Sequence, residues 1–439
     1  EERKPMKEKD DSVVMVDSKS LRIGMFVELD VGWLAHPFPT GSFKISSSKQ
    51  IDTIRSLGLD QVRVNTARSD PAPAEAAPVA DPQADALAQE RANERARAAQ
   101  REALQRKERA EQLSLQQRTL VACERRFGEA VRQYRKTLEL IPSHPKAAAE
   151  HCHAMVSGFV GEMLMEGESA IRLLTEAAGD KSSMHPVNVT VVSLLLGKAM
   201  GLQESELVEL GMAAFLHDVG KAQLPDRVRW LEENFSTAEY KLYQEHVAQS
   251  VQVGRAMELP KGALMAIAQH HELADGSGFP LRAKGESMVV GARILALVNR
   301  YDNLCNPTRP AAAMTPHESL SLIFAQLKTR FDSTALSAFI RMMGVYPPGS
   351  VVQLIDERYA MVVSVNSSRP LKPRVIVHES GVSKHEALIL DLEHSPQIGI
   401  RRSLKPAGLP SAAMDFLAPR QRVSYFYERL VDSQMGALA

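Results

Sequence analysis

The spacing of apolar residues changes several times along the chain, and each change marks a predicted segment. Residues 12–66 combine short apolar runs with one helical stretch, which predicts a small α+β domain. Residues 67–87 are rich in proline, alanine and aspartate, so we expect a semi-extended linker. Residues 86–140 are mostly strong helix formers without a continuous apolar face. They predict a solvated helical stalk, in part a coiled coil.

Helical spacing dominates from 145 to 343 and predicts a bundle of helices with short connections. The predicted helices cover about 146–166, 168–179, 185–200, 204–218, 236–257, 261–274, 287–304, 316–330 and 333–343. From 345 to 400 branched and polar residues alternate with a period of two, which predicts a small β appendage. In the remaining tail, 401–439, we expect a short helix over 419–435. The fold class is therefore mainly α.

Composition narrows the classes of function. The chain has 439 residues, and its 53 basic side chains equal its 53 acidic ones, so no overall field favours a nucleic acid polymer or an anionic membrane. No apolar run approaches the ~20 residues of a membrane span, and the charged first residues lack the apolar stretch of a signal peptide. We expect a soluble, cytoplasmic protein. The cysteines lack metal-ligand spacing and predict ordinary thiols: Cys123, Cys152 and Cys305.

A polar pair, His217–Asp218, closes an apolar helix just before Gly220 and Lys221. Such a pair alone is weak evidence for a metal site. More histidines lie on separate predicted helices nearby, at His185, His246, His270 and His271. Neutral imidazoles and a carboxylate that can bridge two cations are the ligands that borderline divalent ions prefer. The residues by themselves thus indicate a metal centre built from several helices.

Several motifs occur in a characteristic order from 184 to 310: Met184-His185, LHDVGK (216–221), His246, HHE (270–272), DGSGFP (275–280), ARI (292–294), YDN (301–303) and RP (309–310). Together they resemble the HD-GYP subgroup of the HD-domain metal-dependent phosphohydrolases. The stretch LRIGMFVELDVGWLAHPF resembles the N-terminal domain of unknown function that precedes HD-GYP modules. The resemblance implies an HD-type helix bundle that holds two or three metal ions and hydrolyses cyclic di-GMP.

The resemblance also implies a role for each matching residue. Asp218 would bridge two ions, with His185 and His217 on one ion. His246, His270 and His271 would bind the other, and Lys221 would contact a phosphate oxygen. A glycine-rich loop would border the substrate and offer a contact surface for GGDEF-domain proteins. The remaining substrate-binding candidates are Asp275, Gly276, Gly278, Phe279, Pro280 and Arg309.

Four departures from the family pattern change the expectation. Asn299 stands where the family has its last metal-binding aspartate, so one ion should bind more weakly, although Asp302 one turn later could partly substitute. Lys181 stands where three-metal members have a glutamate, so we expect two ions. Phe279 replaces the usual tyrosine, and Arg309 is displaced by one residue while the second basic residue is lost within 311–313. Family habit favours iron or manganese, with zinc or nickel as alternatives.

Three functional hypotheses remain open from the sequence. The first is a phosphodiesterase that converts cyclic di-GMP to the linear dinucleotide, GMP or both. The second is a degenerate regulator that binds cyclic di-GMP or a GGDEF partner without turnover, for which Asn299 is the main support. The third is a hydrolase of another nucleotide. A homodimer through the 86–140 stalk is compatible with each of them.

Overall fold

The computed structural model describes residues 12–32, 36–72, 82–165, 169–174, 181–230, 235–366, 369–419 and 422–429. The chain divides into two compact units, Glu1–Ala99 and Gln100–Ala439. The boundary falls inside one long helix.

The first unit is an antiparallel sheet with one helix. Its elements are β1 (Val13–Asp17), β2 (Phe26–Glu28), β3 (Ser42–Lys44), α1 (Ser48–Ser56) and β4 (Gln61–Asn65), with the strand order β1-β4-β2-β3. Ser47 and Gln50 form a capping box that begins α1. Val27, Ile54 and Val64 lie in a small core between helix and sheet. The predicted α+β fold of this region is confirmed.

A single helix, α2 (Pro82–Leu140), follows over 59 residues. It begins earlier than predicted, so the expected linker is wrong from 82 to 87, and 73–81 lie outside the described residues. Residues 101–112 are exposed, as expected of a solvated stalk. Further along, Phe127, Val131 and Tyr134 are buried in the core of the second unit. The last turns of the predicted stalk therefore belong to the folded core.

The second unit is built on a helical bundle. In chain order it contains α3 (Pro145–Leu164), β5 (Ser169–Leu173), α4 (Lys181–Ala199), α5 (Glu204–Leu216), α6 (Thr237–Ala256), α7 (Lys261–Gln269), α8 (Val290–Cys305), α9 (Pro316–Gln326) and α10 (Ser333–Met343). From 183 to 197 every α4 residue is buried, because α4 packs against both α5 and α8. The most central helices thus meet at the end of α5.

A seven-stranded antiparallel sheet closes the unit. It combines β5 with β6 (Val351–Leu354), β7 (Tyr359–Asn366), β8 (Arg374–Val377), β9 (Ile389–Asp391), β10 (Ile400–Leu404) and β11 (Tyr425–Arg429), and α11 (Ser411–Leu417) lies between the last two strands. The main strand order is β10-β6-β7-β5-β11, and β8 pairs with β7 and β9. The sheet shares one continuous core with the bundle.

The structure corrects the sequence-based elements in three places. The helix expected at 168–179 is wrong: residues 169–173 form β5, and 175–180 are outside the described residues. The helix expected at 419–435 is also wrong, because 425–429 form β11, and 430–439 lie outside the described part. The β region is not confined to 345–400, since β5, β10 and β11 complete its sheet. Among the described residues, no helix combines the length and apolar character required to cross a bilayer.

Candidate metal centre

The end of α5 delivers the His217–Asp218 pair to the middle of the bundle. The helix ends at Leu216, and Asp218, with φ −104° and ψ 6°, leaves the helical path before a 3-10 turn over Val219–Gln223. Gly220 allows that turn to contact α6. A Cβ at this position would lie 2.3 Å from the backbone oxygen of His246, so no larger residue fits without displacing the backbone.

The Asp218 carboxylate lies between two groups of imidazoles. Its Oδ2 atom is 3.4 Å from His217 Nε2 and 3.6 Å from His185 Nε2. Its Oδ1 atom is 3.5 Å from His246 Nε2 and 3.7 Å from His270 Nε2. Each carboxylate oxygen therefore faces one pair of histidines.

His271 completes the second group. The ligand atoms of this group lie within 4.8 Å of one another, as do those of the group that contains His185. Both groups share Asp218, which is the arrangement that the family resemblance implied. The four other imidazoles are at most 3 % exposed, and His271 is partly buried.

Hydrogen bonds on the far side of each ring fix its orientation. Nδ1 meets the backbone carbonyl oxygen three residues earlier, at 2.7 Å for His217, 2.5 Å for His246 and 2.7 Å for His270. A carbonyl oxygen can only accept, so these Nδ1 atoms carry the hydrogen and the Nε2 lone pairs face Asp218. His185 differs: its Nδ1 lies 2.5 Å from Asp302 Oδ2. Carbonyl or carboxylate partners of this kind are typical of metal-binding histidines.

The donor set fits a pair of divalent metal ions. The Nε2 atoms of His185 and His217 are 3.3 Å apart, and those of His246 and His270 are 3.4 Å apart. Two lone pairs at such distances repel one another, whereas the spacing suits two imidazoles about 2.0–2.1 Å from a common ion. Within the described residues, the buried atoms Asp218 Oδ1 and His271 Nε2 have no hydrogen-bond partner, which is the state expected of unused metal ligands.

Burial favours the neutral, metal-binding form of four histidines: His185, His246, His270 and His271. It lowers the pKa of His185 and His270, lowers that of His246 to about 3, and places that of His271 well below its ordinary value. Burial by itself raises the pKa of Asp218, but His217 and the Lys221 ammonium outweigh it, so this pKa lies well below the usual range. The centre therefore combines these four neutral imidazoles with an ionised carboxylate at neutral pH.

Lys221 supplies the positive charge of the site. Its Nζ lies 2.5 Å from Asp218 Oδ2, and the ring centroids of Trp230 and Tyr243 are 5.2 and 5.5 Å from Nζ. Burial lowers the pKa of Lys221, but the nearby Asp218 carboxylate outweighs it and the net change is upward. The ammonium is thus charged and enclosed beside the two groups of ligands.

Comparisons with known proteins agree with this geometry. Residues 168–335 match the family model of the HD domain. This part of the chain therefore resembles an HD domain. Ahead of the HD domain, residues 14–152 match a domain of unknown function, DUF3391. That match extends well beyond the 12–66 segment of the sequence analysis and includes α2. The resemblance to HD-GYP proteins that carry this N-terminal domain is confirmed.

Several relatives of this chain have names that describe an activity. The cyclic di-GMP phosphodiesterase PA4108 of Pseudomonas aeruginosa is 26% identical over 374 residues, which are 83% of this chain and 84% of the relative. The cyclic di-GMP phosphodiesterase response regulator RpfG of Xanthomonas campestris is 31% identical over 34% of this chain and 40% of its own length. Among solved structures, Bd1817, an HD-GYP-type protein from Bdellovibrio bacteriovorus, covers 74% of this chain and 98% of its own, with 12% identity and a TM-score of 0.40.

The glycine-rich loop, residues 275–280, packs on the candidate ligand His271. Phe279 stacks on its imidazole with the centroids 4.5 Å apart, and the Phe279 backbone N–H donates to the His271 carbonyl at 3.1 Å. Gly278 must be glycine, since a Cβ would lie 2.4 Å from Leu273 N. Gly276 has a φ of +79°, and Pro280 follows a cis peptide bond. Asp275 is exposed and accepts hydrogen bonds from Ser277 within the loop.

A buried acid that the sequence analysis did not assign holds this loop. Glu272 is fully buried, and its two oxygens accept from the backbone N–H groups of Leu281 at 2.6 Å and Ala283 at 2.8 Å. Its position directly after the double histidine was the available signal. The carboxylate thus fixes the far end of the loop that carries Phe279.

Among the described contacts, the Asn299 side chain meets Asn303 and none of the histidines that it was expected to join. Asn299 is buried on α8, and its Oδ1 accepts from Asn303 Nδ2 at 2.7 Å. The carboxylate of the same helix that reaches the histidines is Asp302, which contacts His185 through Nδ1, the side away from Asp218. The role of Asp302 was missed because sequence spacing gives its helical face but not its partner.

Arg309 is the predicted substrate residue that the structure leaves outside the cluster. It is exposed and precedes the 3-10 turn Pro310–Ala312, and its backbone oxygen accepts from Ala312. No described contact connects its guanidinium to the ligand groups. Its assignment as a phosphate contact remains a prediction.

Proposed function

We propose that this protein is a metal-dependent phosphodiesterase that hydrolyses cyclic di-GMP to the linear dinucleotide, GMP or both. The observation that carries the proposal is the buried carboxylate of Asp218, whose two oxygens face different groups of histidines. A phosphodiester resists hydrolysis at neutral pH. Two cations joined by a bridging carboxylate can activate a water molecule to attack it. PA4108, RpfG and PdeB of Borreliella burgdorferi, each named a cyclic di-GMP phosphodiesterase, support the substrate.

Each residue of the centre has a distinct task in this proposal. His185 and His217 hold one ion, His246, His270 and His271 hold the other, and Asp218 joins the two groups. Two divalent ions bound there would polarise the phosphate and lower the pKa of a shared water. Lys221 binds a non-bridging phosphate oxygen, and its pairing with Asp218 keeps it charged and in place. Phe279 holds the His271 ring, while Asp275, Gly276, Gly278 and Pro280 shape the loop beside the substrate.

The centre is proposed to hold two ions. Lys181 takes the place of the glutamate that three-metal family members carry, which removes a carboxylate ligand. Iron or manganese is proposed from the family resemblance, and zinc or nickel suits the same imidazole-rich set. The engagement of Asn299 with Asn303 agrees with weaker binding of one ion.

A second candidate is a regulator that binds cyclic di-GMP or a GGDEF-domain partner without turnover. It is favoured by Asn299, which leaves the centre one negative charge short of the family pattern. A homodimer through the stalk and a cytoplasmic location remain proposals that fit either candidate.

Turnover of defined nucleotides distinguishes these functions. We expect the protein, purified without oxygen and supplied with Fe²⁺ or Mn²⁺, to release linear dinucleotide or GMP from cyclic di-GMP. The panel should include 3'3'-cGAMP, because two Vibrio cholerae relatives are named as specific for it. Absence of turnover with retained cyclic di-GMP binding supports the regulator instead.

Variants locate the activity. His217→Ala and Asp218→Ala should each abolish turnover by removing metal ligands. The control His151→Ala changes a histidine of α3 that bonds Thr137 and lies outside both ligand groups. Activity that survives both ligand substitutions would refute the site.

A further inference from the structure

A buried pair of asparagines holds the carboxylate that orients His185. Asn188 lies on α4, Asp302 lies on α8, and Asn306 is the residue that caps the C-terminal end of α8. The Nδ2 groups of Asn188 and Asn306 donate to Asp302 Oδ1 at 2.5 and 2.9 Å, while Asp302 Oδ2 meets His185 Nδ1 at 2.5 Å. Asn188, Asp302 and Asn306 are 2%, 4% and 7% exposed, respectively. Asp302 therefore has one oxygen for His185 and the other for the two amides.

The same asparagines bind the main chain just before β11. Asn306 Oδ1 accepts from Val423 N–H at 2.8 Å, and Asn188 Oδ1 accepts from Tyr425 N–H at 2.7 Å. The Val423 carbonyl accepts from both amides, at 2.9 Å from Asn306 and 3.2 Å from Asn188. Only an amide side chain offers donors and an acceptor together for such paired contacts.

We propose that Asn188 and Asn306 are positioning residues that use the backbone at 423–425 as a support for Asp302. Through Asp302 they set the orientation of His185, so the C-terminal strand is a structural part of the ligand group formed by His185 and His217. The inference rests on the proposed metal centre. Without the two amides, the buried carboxylate would lose two of its three partners and would no longer define one orientation of the ring.

The support is itself held firmly. β11 pairs with β5 along Tyr425–Arg429. Phe426 is fully buried and meets Phe127 of α2 and Phe159 of α3 edge to face. The Tyr425 hydroxyl donates to the Pro348 carbonyl at 3.1 Å. The backbone at 423–425 is therefore fixed by contacts that do not involve the metal centre.

Titration with Mn²⁺ alone tests the proposal without any nucleotide. Asn188→Ala and Asn306→Ala should each lower the affinity for the ion of the His185–His217 group by about tenfold. This is the lower end of the range for residues that hydrogen-bond to metal ligands. The affinity for the other ion should be unchanged. In an Asp302→Ala background the same substitutions should change affinity less than twofold, because they act through Asp302. The control Thr190→Ala removes a buried α4 hydrogen bond to the Pro186 carbonyl and should leave both ions bound.

Equal weakening with and without Asp302 overturns the proposal, since it indicates a general loss of structure. So does unchanged affinity in both asparagine variants. If an alanine variant does not fold, Asn306→Asp keeps the size and the oxygen that accepts from Val423 but places an oxygen where the amide faced Asp302; it should also weaken that ion. A wild type that binds no Mn²⁺ refutes the proposed function and this inference together, whereas wild type and Asn306→Ala that bind both ions with equal affinities refute this inference only.

Hydrogen exchange in the unmodified protein gives a second test, because metal binding and the stability of the backbone at 423–425 should be coupled. If the support and the His185 group are coupled, bound Mn²⁺ must slow hydrogen exchange of the Val423 and Tyr425 amides, because coupling is reciprocal. Asp302→Ala should remove that protection. Exchange that is identical with and without Mn²⁺ would contradict the coupling.

Discussion

The Phe279 ring lies nearly parallel to the His271 imidazole, with their centroids 4.5 Å apart and their planes at 18°. The glycine-rich loop thus contacts a candidate metal ligand directly, and its phenylalanine packs on that ligand without a hydroxyl group. Tyr240 and Tyr243 meet the other sides of the Phe279 ring edge to face.

Removal of the Phe279 ring should loosen His271. We expect Phe279→Ala to lower the unfolding free energy by about 1 kcal/mol or more, through the lost aromatic contacts. It should also lower the affinity for the ion of the His246–His270–His271 group. Phe279→Tyr keeps the ring and should retain both properties. Chemical unfolding and Mn²⁺ titration measure the two effects, and a Phe279→Ala protein that binds both ions normally would show that the stacking does not orient His271.

Lys221 should matter for turnover but not for metal retention. Lys221→Met keeps the length of the side chain between Trp230 and Tyr243 but removes the charge. A single charged contact to the reacting group contributes about 10²–10³ in kcat, so we expect a loss of that size. Metal content should be unchanged or higher, because a cation beside Asp218 opposes the binding of further cations. A variant with kcat within threefold of wild type would contradict the phosphate-binding role.

A carboxylate at position 299 should strengthen the binding of the more weakly held ion. We expect Asn299→Asp to slow metal loss during dialysis and to raise turnover at limiting Fe²⁺ or Mn²⁺. The matched control is Asn303→Asp, which makes the same change of charge one turn later on α8. If both variants retain metal equally better than wild type, the added negative charge explains the effect and position 299 has no special role.

The metal-free protein should lose stability in mild acid. The pKa of His246 is about 3 in the folded protein, against an ordinary value of 6.5, so between these values the unfolded chain binds more protons. Stability from this group is complete above pH 6.5 and falls as the pH drops toward 3. For His246 alone the loss at pH 5.5 is about 1.4 kcal/mol. Urea unfolding with chelator at pH 7.5 and 5.5 measures it, and His246→Gln should show a smaller difference between the two pH values.

The local sequence contained most of the ligand geometry. The histidines and Asp218 occur at recognisable motif positions, and their contacts depend on how α4 to α8 pack, a pattern set by regular apolar spacing. The partners of the ligands were harder to predict. Asn188 stands alone among valines and threonine in α4, and Asp302 was considered only as a substitute ligand. Their contacts depend on residues 423–425, more than 100 positions away.

Element β5 shows the same limit for the fold. Its five residues are too few for a reliable period, and both neighbours in the sheet lie far along the chain, in β7 and β11. A helix was predicted there because helices surround it in sequence. The strand forms because the edges of β7 and β11 are available for pairing. A short stretch of sequence around β5 contains neither of them.

The distance in sequence between β5 and its partners has a consequence for biosynthesis. A ribosome completes the helices that bear His185 through His271 well before it makes Val423 and Tyr425. Until that last strand emerges, β5 has an unpaired edge and Asp302 lacks its backbone support. A nascent chain must therefore postpone the final assembly of the candidate metal centre until residues 423–429 have emerged, which places a late step of long-range pairing on its maturation.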